Sequence, residues 1–175
     1  MIEIKPIELI VDSEIKLIRL RPQDAHIMFA LIDRNREHLS QFGESTALKY
    51  PAEDVVYESI IDSANPFRLR FGIWTSQNFV GSINITPDNG SSKAETGYYL
   101  GKEFTGKGYT IRSLNRIVQY AFNDMQLLEV YARVNKENTA SKKVLERAGF
   151  RQVEFKAGKE TLYYHVDRII TAFRM

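Results

Sequence analysis

Residues 94–110 read AETGYYLGKEFTGKGYT: a short strand, a turn, and a Gly-Lys-Gly that opens a helix. The helix continues as IRSLNRIVQYAFNDM, with Leu114, Ile117, Val118, Ala121, Phe122 and Met125 at the i, i+3, i+4, i+7 spacing of one buried face. A helix start carries unsatisfied backbone N–H groups and the positive end of the peptide dipole, and glycines there let a ligand approach the main chain. Two readings of Gly106 and Gly108 stand side by side: an anion-binding loop, or a tight strand-to-helix turn.

Upstream, three runs (RLRFGIWT, NFVGSINIT and AETGYYL) alternate as antiparallel strands, the last two joined by the turn PDNGSSK. Gly81 interrupts its run as at a bulge or a close backbone approach. Further back, Glu14 to Arg21 reads as a first strand, Pro22 to Ser40 as a helix and Pro51 to Ser63 as a second helix. The irregular QFGESTALKY between the two helices is placed to lie over a binding site.

Downstream, Leu128 to Val134 alternates Leu128, Val130, Ala132 and Val134 on one face. Reached through a helix, this strand is expected to run parallel to its predecessor. Asn138 to Ala148 is a helix with Asn138 as N-cap, Gly149 left-handed beyond its end and Phe150 as the apolar partner. RQVEFK and ETLYYHVDRI close the chain as two strands turning at Ala157 to Lys159. The order is β α α β β β α β α β β, read as a single domain over residues 1–175.

At 175 residues, 43% hydrophobic and 26% charged, the chain is long enough for a proper core. Its 24 basic and 22 acidic residues nearly cancel, without a long run of one sign, so neither nucleic acid nor membrane is indicated as a partner. The first residues lack the roughly 7 to 15 apolar residues of a signal peptide's centre, and a cytoplasmic location is the default. Cysteine is absent, which removes disulfides, thiolate metal sites and any cysteine-linked intermediate. His26, His38 and His165 are scattered along the sequence, and no metal site is expected from them.

Phosphate motifs narrow the glycine loop. A dinucleotide fold needs a third glycine where Ile111 stands, and a P-loop needs Ser or Thr for magnesium where Gly108 stands. Neither fits. The segment GYYLGKEFTGKGYTIRSLNRIVQYAF, followed by ARVNKENTASKKVLERAGFRQVEF, resembles the GCN5-related N-acetyltransferases (GNAT). More narrowly it is similar to their ribosomal-protein-alanine and -serine branch. The resemblance runs from LIRLRPQDA to about Phe155, with Glu103, Gly106 and Gly108 at the positions of the family's Gln/Arg-x-x-Gly-x-Gly/Ala loop. Glu103 departs from the amide or guanidinium, and Arg112 departs from a Glu common in the branch. Asn135, Asn138, Ser141, Gly149 and Phe150 reproduce the branch's Asn-x-x-Asn-x-x-Ser…Gly-Phe arrangement.

The resemblance implies an α/β (α+β) acyl-CoA N-acyltransferase fold, a mixed and mostly antiparallel twisted sheet of about seven strands flanked by about four helices. It implies acetyl-CoA as co-substrate and direct attack of a primary amine in a ternary complex. The main chain of Tyr98, Tyr99 and Leu100 would hold the pantetheine arm and the oxyanion. The loop of Thr105, Gly106, Lys107, Gly108, Tyr109 and Thr110 would hold the pyrophosphate. Ser141 is the implied general acid and Asn138 orients it or the cofactor, against a reading of Asn138 as a cap and Ser141 as an ordinary first-turn residue. Glu95 is the candidate base, directly or through a water, against a reading as a solvated strand carboxylate. The acceptor implied is a protein N-terminus; the alternatives are a small amine, such as a polyamine, antibiotic or metabolite, or no acceptor at all in an acyl-CoA sensor. Exposed edge strands and the LYYHV stretch invite a homodimer.

Overall fold

The computed structural model describes residues 6–42, 46–61, 67–153 and 161–168. Its eight strands are β1 (Glu8–Ile10), β2 (Lys16–Arg19), β3 (Leu69–Trp74), β4 (Phe79–Pro87), β5 (Lys93–Leu100), β6 (Glu129–Asn135), β7 (Arg151–Val153) and β8 (Thr161–Asp167). They form one sheet in the order β1-β2-β3-β4-β5-β6-β8-β7. Every neighbouring pair is antiparallel except β5 and β6, the pair joined through the central helix. The helices are α1 (Ala25–Arg34), α2 (Thr46–Lys49), α3 (Glu53–Ile61), α4 (Tyr109–Asn123) and α5 (Thr139–Arg147). None of them is long and apolar enough to cross a membrane.

Both faces of the central strands are covered, which is why β3 and β4 are buried almost continuously instead of alternating. On one face Leu114, Ile117, Val118, Ala121 and Phe122 of α4 pack on Phe71, Ile73, Ile83, Ile85 and Ala94. On the other, Met28, Leu31 and Ile32 of α1 and Val56 of α3 pack with Leu20 and Phe79. The α4 face is the one its spacing requires. At the far end of α5, Phe150 N donates to Leu145 O and Gly149 N to Glu146 O. Gly149 has φ 87°, so the helix stops as its sequence indicates.

Several boundaries differ from expectation. The strand expected over Glu14 to Arg21 shrinks to β2, because Asp12 Oδ1 accepts from the N–H of Glu14 at 2.8 Å and of Ile15 at 2.9 Å, building a turn. That turn pairs β2 with the unexpected β1, the eighth strand. The helix expected over Pro22 to Ser40 divides into a 3-10 turn, α1 and a second 3-10 turn, with Asn35 closing α1 as its C-cap at φ -117° and ψ 17°. The irregular loop contains α2. The second helix begins only at Glu53, and of its apolar residues Val56 alone is fully buried while Val55 and Tyr57 are exposed. Leu128 lies outside β6 and is exposed. Residues 154–156 of RQVEFK, the turn at Ala157 to Lys159, and Asp62 and Ser63 lie outside the described residues.

Candidate active site

The parallel pairing of β5 with β6 covers only Lys93↔Glu129, Ala94↔Val130 and Glu95↔Tyr131. Past Glu95, β5 pairs only with β4, and β6 past Tyr131 pairs only with β8. The two strands part, and the facing edges of Thr96–Leu100 and Ala132–Asn135 are left with open N–H and C=O groups. An extended, amide-bearing chain can bond there as an added strand does.

A distortion in β4 supports that course. The β3–β4 register shifts at Ile73/Trp74, one residue of β4 bulging out at Val80. Gly81 beside it lies so close to β5 that a Cβ would overlap the Tyr99 carbonyl oxygen. Both readings of Gly81, bulge and close approach, therefore hold.

At the wide end of the cleft the chain turns into α4. Gly106 (φ 77°) and Gly108 (φ 74°) are both left-handed, and Gly108 is the N-cap of α4. A Cβ on Gly106 would meet nothing within 4 Å, so the backbone angle and not crowding asks for glycine. Arg112 N makes the first helical bond, to Gly108 O at 3.2 Å, and among the described residues the N–H groups of 106–111 donate to no carbonyl. Together they form a donor-lined mouth suited to a phosphate. Lys107 adds a cation, its Nζ lying 5.7 Å from the centre of the Phe104 ring. Thr105 Oγ1 donates to Lys102 O, and Thr110 lies in the first turn of α4. The Tyr109 side chain turns away, its hydroxyl donating to Glu14 at 2.9 Å, so only its main chain faces the mouth.

The two departures from the family pattern are turned aside. Glu103 Oε1 accepts from Arg34 Nε at 2.9 Å. Partial burial works against its charge, yet its own backbone N–H, Arg34 and Asn35 outweigh that and hold the carboxyl below its usual range. Asn35, buried, accepts from Lys102 N at 2.8 Å and donates to Leu31 O, fastening the turn before the glycine loop to the end of α1. Arg112 reaches Asp12 Oδ2 at 2.6 Å and Glu14 Oε2 at 3.0 Å and lies over the Tyr109 ring.

Burial works against ionised Asp12, but Glu14 N–H, Arg112 and Ile15 N–H hold its carboxyl below the ordinary value. Tyr109 and Arg112 do the same for Glu14. Because both folded-state values are lowered, the stability this clamp contributes is present above the ordinary carboxylate range and lost as pH falls through the lowered values. Arg112→Ala is expected to weaken acetyl-CoA binding by roughly threefold to tenfold, since it removes a cation and leaves the carboxylates of Asp12 and Glu14 unpaired beside the anion loop. Isothermal titration should show a larger loss at low salt. The difference in Tm between variant and wild type should close in acid.

On β5, Glu95 and Tyr98 are three residues apart and leave opposite faces of the sheet. Tyr98 faces α5: its hydroxyl is 2.9 Å from Ser141 Oγ, and burial pushes the phenol up to about 12 against the bond to Ser141. Asn138 Oδ1 caps α5 by accepting from Ser141 N at 3.0 Å, which holds the serine in the first turn. Asn135 at the end of β6 donates to Phe42 O, tying the cleft to the segment before α2. Leu100 is core, and the Tyr99 side chain faces α1 and α3. Glu95 is held in a fork by Arg133, Nε to Oε1 and Nη2 to Oε2, both at 2.8 Å. Both of its oxygens already accept from the guanidinium, so a water reaching Glu95 has to share them with Arg133.

His165 stands with Glu129 and Asp167, their ligand atoms within 4.8 Å of one another, a grouping its isolation in sequence hides. Lys93 and Tyr163 already bond Glu129, and Arg151 bonds Asp167, so the cluster is an ion-pair network on the sheet. Nothing in the sequence marks Arg34, Asn35 and Arg133, or the partners of Arg112, because each acts on a residue tens of positions away along the chain and no local pattern announces such a pair.

Residues 14–151 match the family model of the acetyltransferase (GNAT) domain. Bacillus subtilis YdaF, named as a ribosomal N-acetyltransferase, is 30% identical over 149 residues, 80% of this chain and 79% of YdaF. The crystal structure of a protein described as a probable acetyltransferase superposes with a TM-score of 0.81 at 25% identity, over 94% of this chain and 98% of that one. RimL, a ribosomal L7/L12 alpha-N-protein acetyltransferase solved with coenzyme A, superposes at 0.82 over 92% of this chain and 98% of its own. At 15% identity it is a likeness of fold.

Proposed function

Because this chain belongs to the GNAT acetyltransferases, we propose that it transfers the acetyl group of acetyl-CoA to the N-terminal α-amine of a protein of the ribosomal kind. The carrying observation is the parting of β5 from β6 after Glu95, beside the glycine mouth of α4. The pantetheine arm lies along the free edge of Tyr98 to Leu100, and the pyrophosphate meets the N–H groups of Gly106 to Thr110, the Thr105 N–H being spent on Lys102 O. As a single domain over residues 1–175, the enzyme works in the cytoplasm, the compartment its acceptor implies.

With the thioester in the cleft, the amine approaches from the Glu95 face and Ser141 from the other. An α-amine has an ordinary pKa of about 8 and so needs little help in losing its proton. Glu95, already held by Arg133, takes that proton through a water. The amine nitrogen bonds to the thioester carbon, main-chain N–H groups of β5 hold the oxyanion, and the C–S bond breaks. Ser141 Oγ–H protonates the departing thiolate, and Tyr98 donates to Ser141 Oγ, leaving the serine hydrogen free to face the sulfur. The relative named for ribosomal acetylation supports the choice of acceptor.

Thiol release with a panel of N-terminal peptides, ribosomal proteins and polyamines, followed by mass spectrometry of the products, tests this reading. Acetylation at the α-amine of peptides is the expected result. Turnover of small amines alone would move the acceptor to that class, and tight acetyl-CoA binding without any turnover would make the chain a sensor.

A further inference from the structure

On the face of the sheet opposite α4, Arg70 of β3 is 8% exposed and has no carboxylate within ion-pair distance among the described residues. Its Nη1 donates to Ser59 Oγ at 2.8 Å and its Nη2 to Tyr50 OH at 3.0 Å, and the guanidinium lies over the Tyr50 ring. Ser59 spends its own hydrogen on Val56 O. The Tyr50 hydroxyl accepts from Arg70 and, among the described residues, donates to nothing. Tyr99 comes from β5 into the same layer with a buried hydroxyl that, among the described residues, makes no well-formed hydrogen bond; Ser82, its partner across the β4–β5 pair, stands nearest and spends its own hydrogen on Phe71 O. Burial pushes the Tyr99 phenol up, Arg70 pulls against it, Tyr50 adds to it, and Ser82 lowers it slightly. The result, among the described residues, is a buried cation and two phenolic hydroxyls with no anion between them, whereas buried polar groups are ordinarily satisfied and buried charges paired.

We propose that Arg70, with the Tyr50 and Tyr99 hydroxyls, anchors a carboxylate carried by the amine acceptor. This deepens the transferase reading and rests on it. A carboxylate offers about four acceptor sites, enough for the unused guanidinium N–H groups and both phenols, and guanidinium and carboxylate match in plane. The anchor is placed to act in the reaction: Tyr99 belongs to the strand that borders the cleft, and β3 lies two strand spacings, about 10 Å, from β5. A side chain one or two residues from a peptide N-terminus spans such a distance, as does the far end of a short amino acid. Acceptors would thus be selected for an acidic group near the amine.

The test compares matched acceptors with acetyl-CoA: hexapeptides with Glu or Gln at the second or third residue, and 4-aminobutyrate against its amide. The wild type is expected to prefer the carboxylate member of at least one pair by tenfold or more in kcat/KM, and the pair that does so tells peptide from small acid. In Arg70→Gln and in Tyr99→Phe that ratio should fall toward one through KM. Tyr99→Phe removes only a hydroxyl that makes no well-formed hydrogen bond among the described residues, so it reports even where Arg70→Gln fails to fold. Equal rates within every wild-type pair, or a preference that survives both variants, would overturn the anchor while turnover of the neutral members keeps the transferase reading intact. Should no member be acetylated, calorimetry with the N-acetylated Glu and Gln peptides decides: tighter binding of the Glu peptide, lost in Tyr99→Phe, supports the anchor, and equal binding sinks it.

Discussion

Gly108→Val is expected to cost at least about 100-fold in acetyl-CoA affinity, roughly 2.7 kcal/mol, in a protein that still folds. Gly108 caps α4 with φ 74°, and a Cβ there would come no nearer than 3.9 Å to Arg112 Nε, so no clash forbids the side chain. The penalty is in the backbone. A β-branched residue in the left-handed region carries about 1–3 kcal/mol of strain, which the loop relieves by rotating away. Rotation swings the N–H groups of Gly108, Tyr109 and Thr110 off the position of the pyrophosphate. Gly108→Asn is the companion variant, since asparagine tolerates this region and should keep most of the affinity. Calorimetric titration of the pair, with circular dichroism to check the fold, measures the effect; equal affinity for Val and wild type would refute the phosphate loop.

Ser141→Ala is expected to lower kcat by about 100-fold or more, the ordinary scale for a general acid, while KM for acetyl-CoA hardly moves. The substitution leaves the Asn138 cap intact, because that bond is made by the Ser141 backbone N–H. Its structural loss is one hydroxyl pair with Tyr98, about 1 kcal/mol. Tyr98→Phe should lower kcat less, since Tyr98 acts through the serine, and the double variant should be little worse than Ser141→Ala alone. If stability or KM falls and kcat does not, Ser141 is a first-turn helix residue and the proton comes from elsewhere.

Much of this was legible in the chain itself. The α4 face, the hairpins of β3 to β5 and the stop of α5 at Gly149 and Phe150 follow from local periodicity and end signals, and each stands where those signals put it. Less legible was the stretch before β3. Val55 and Tyr57 look like core on α3 yet face solvent, and the helix expected from Pro22 to Ser40 is interrupted at Asn35, whose side-chain oxygen accepts from Lys102 N, 67 residues on. Pattern reports the neighbours a residue has along its own element. It is silent about partners brought together by the sheet.

The candidate site divides the same way. By itself the sequence determined the glycine mouth and the serine helix, because a left-handed backbone at a helix start and a capped first turn are local demands that residue type answers directly. Only the tertiary structure decided how charge is managed around them: Glu103 turned to Arg34, Arg112 spanning Asp12 and Glu14, Glu95 forked by Arg133, and Arg70 without an anion among the described residues. Charge interactions act through space and depend on distance and burial, and the folding of β1, β3, β6 and α1 against the central strand and loop sets both.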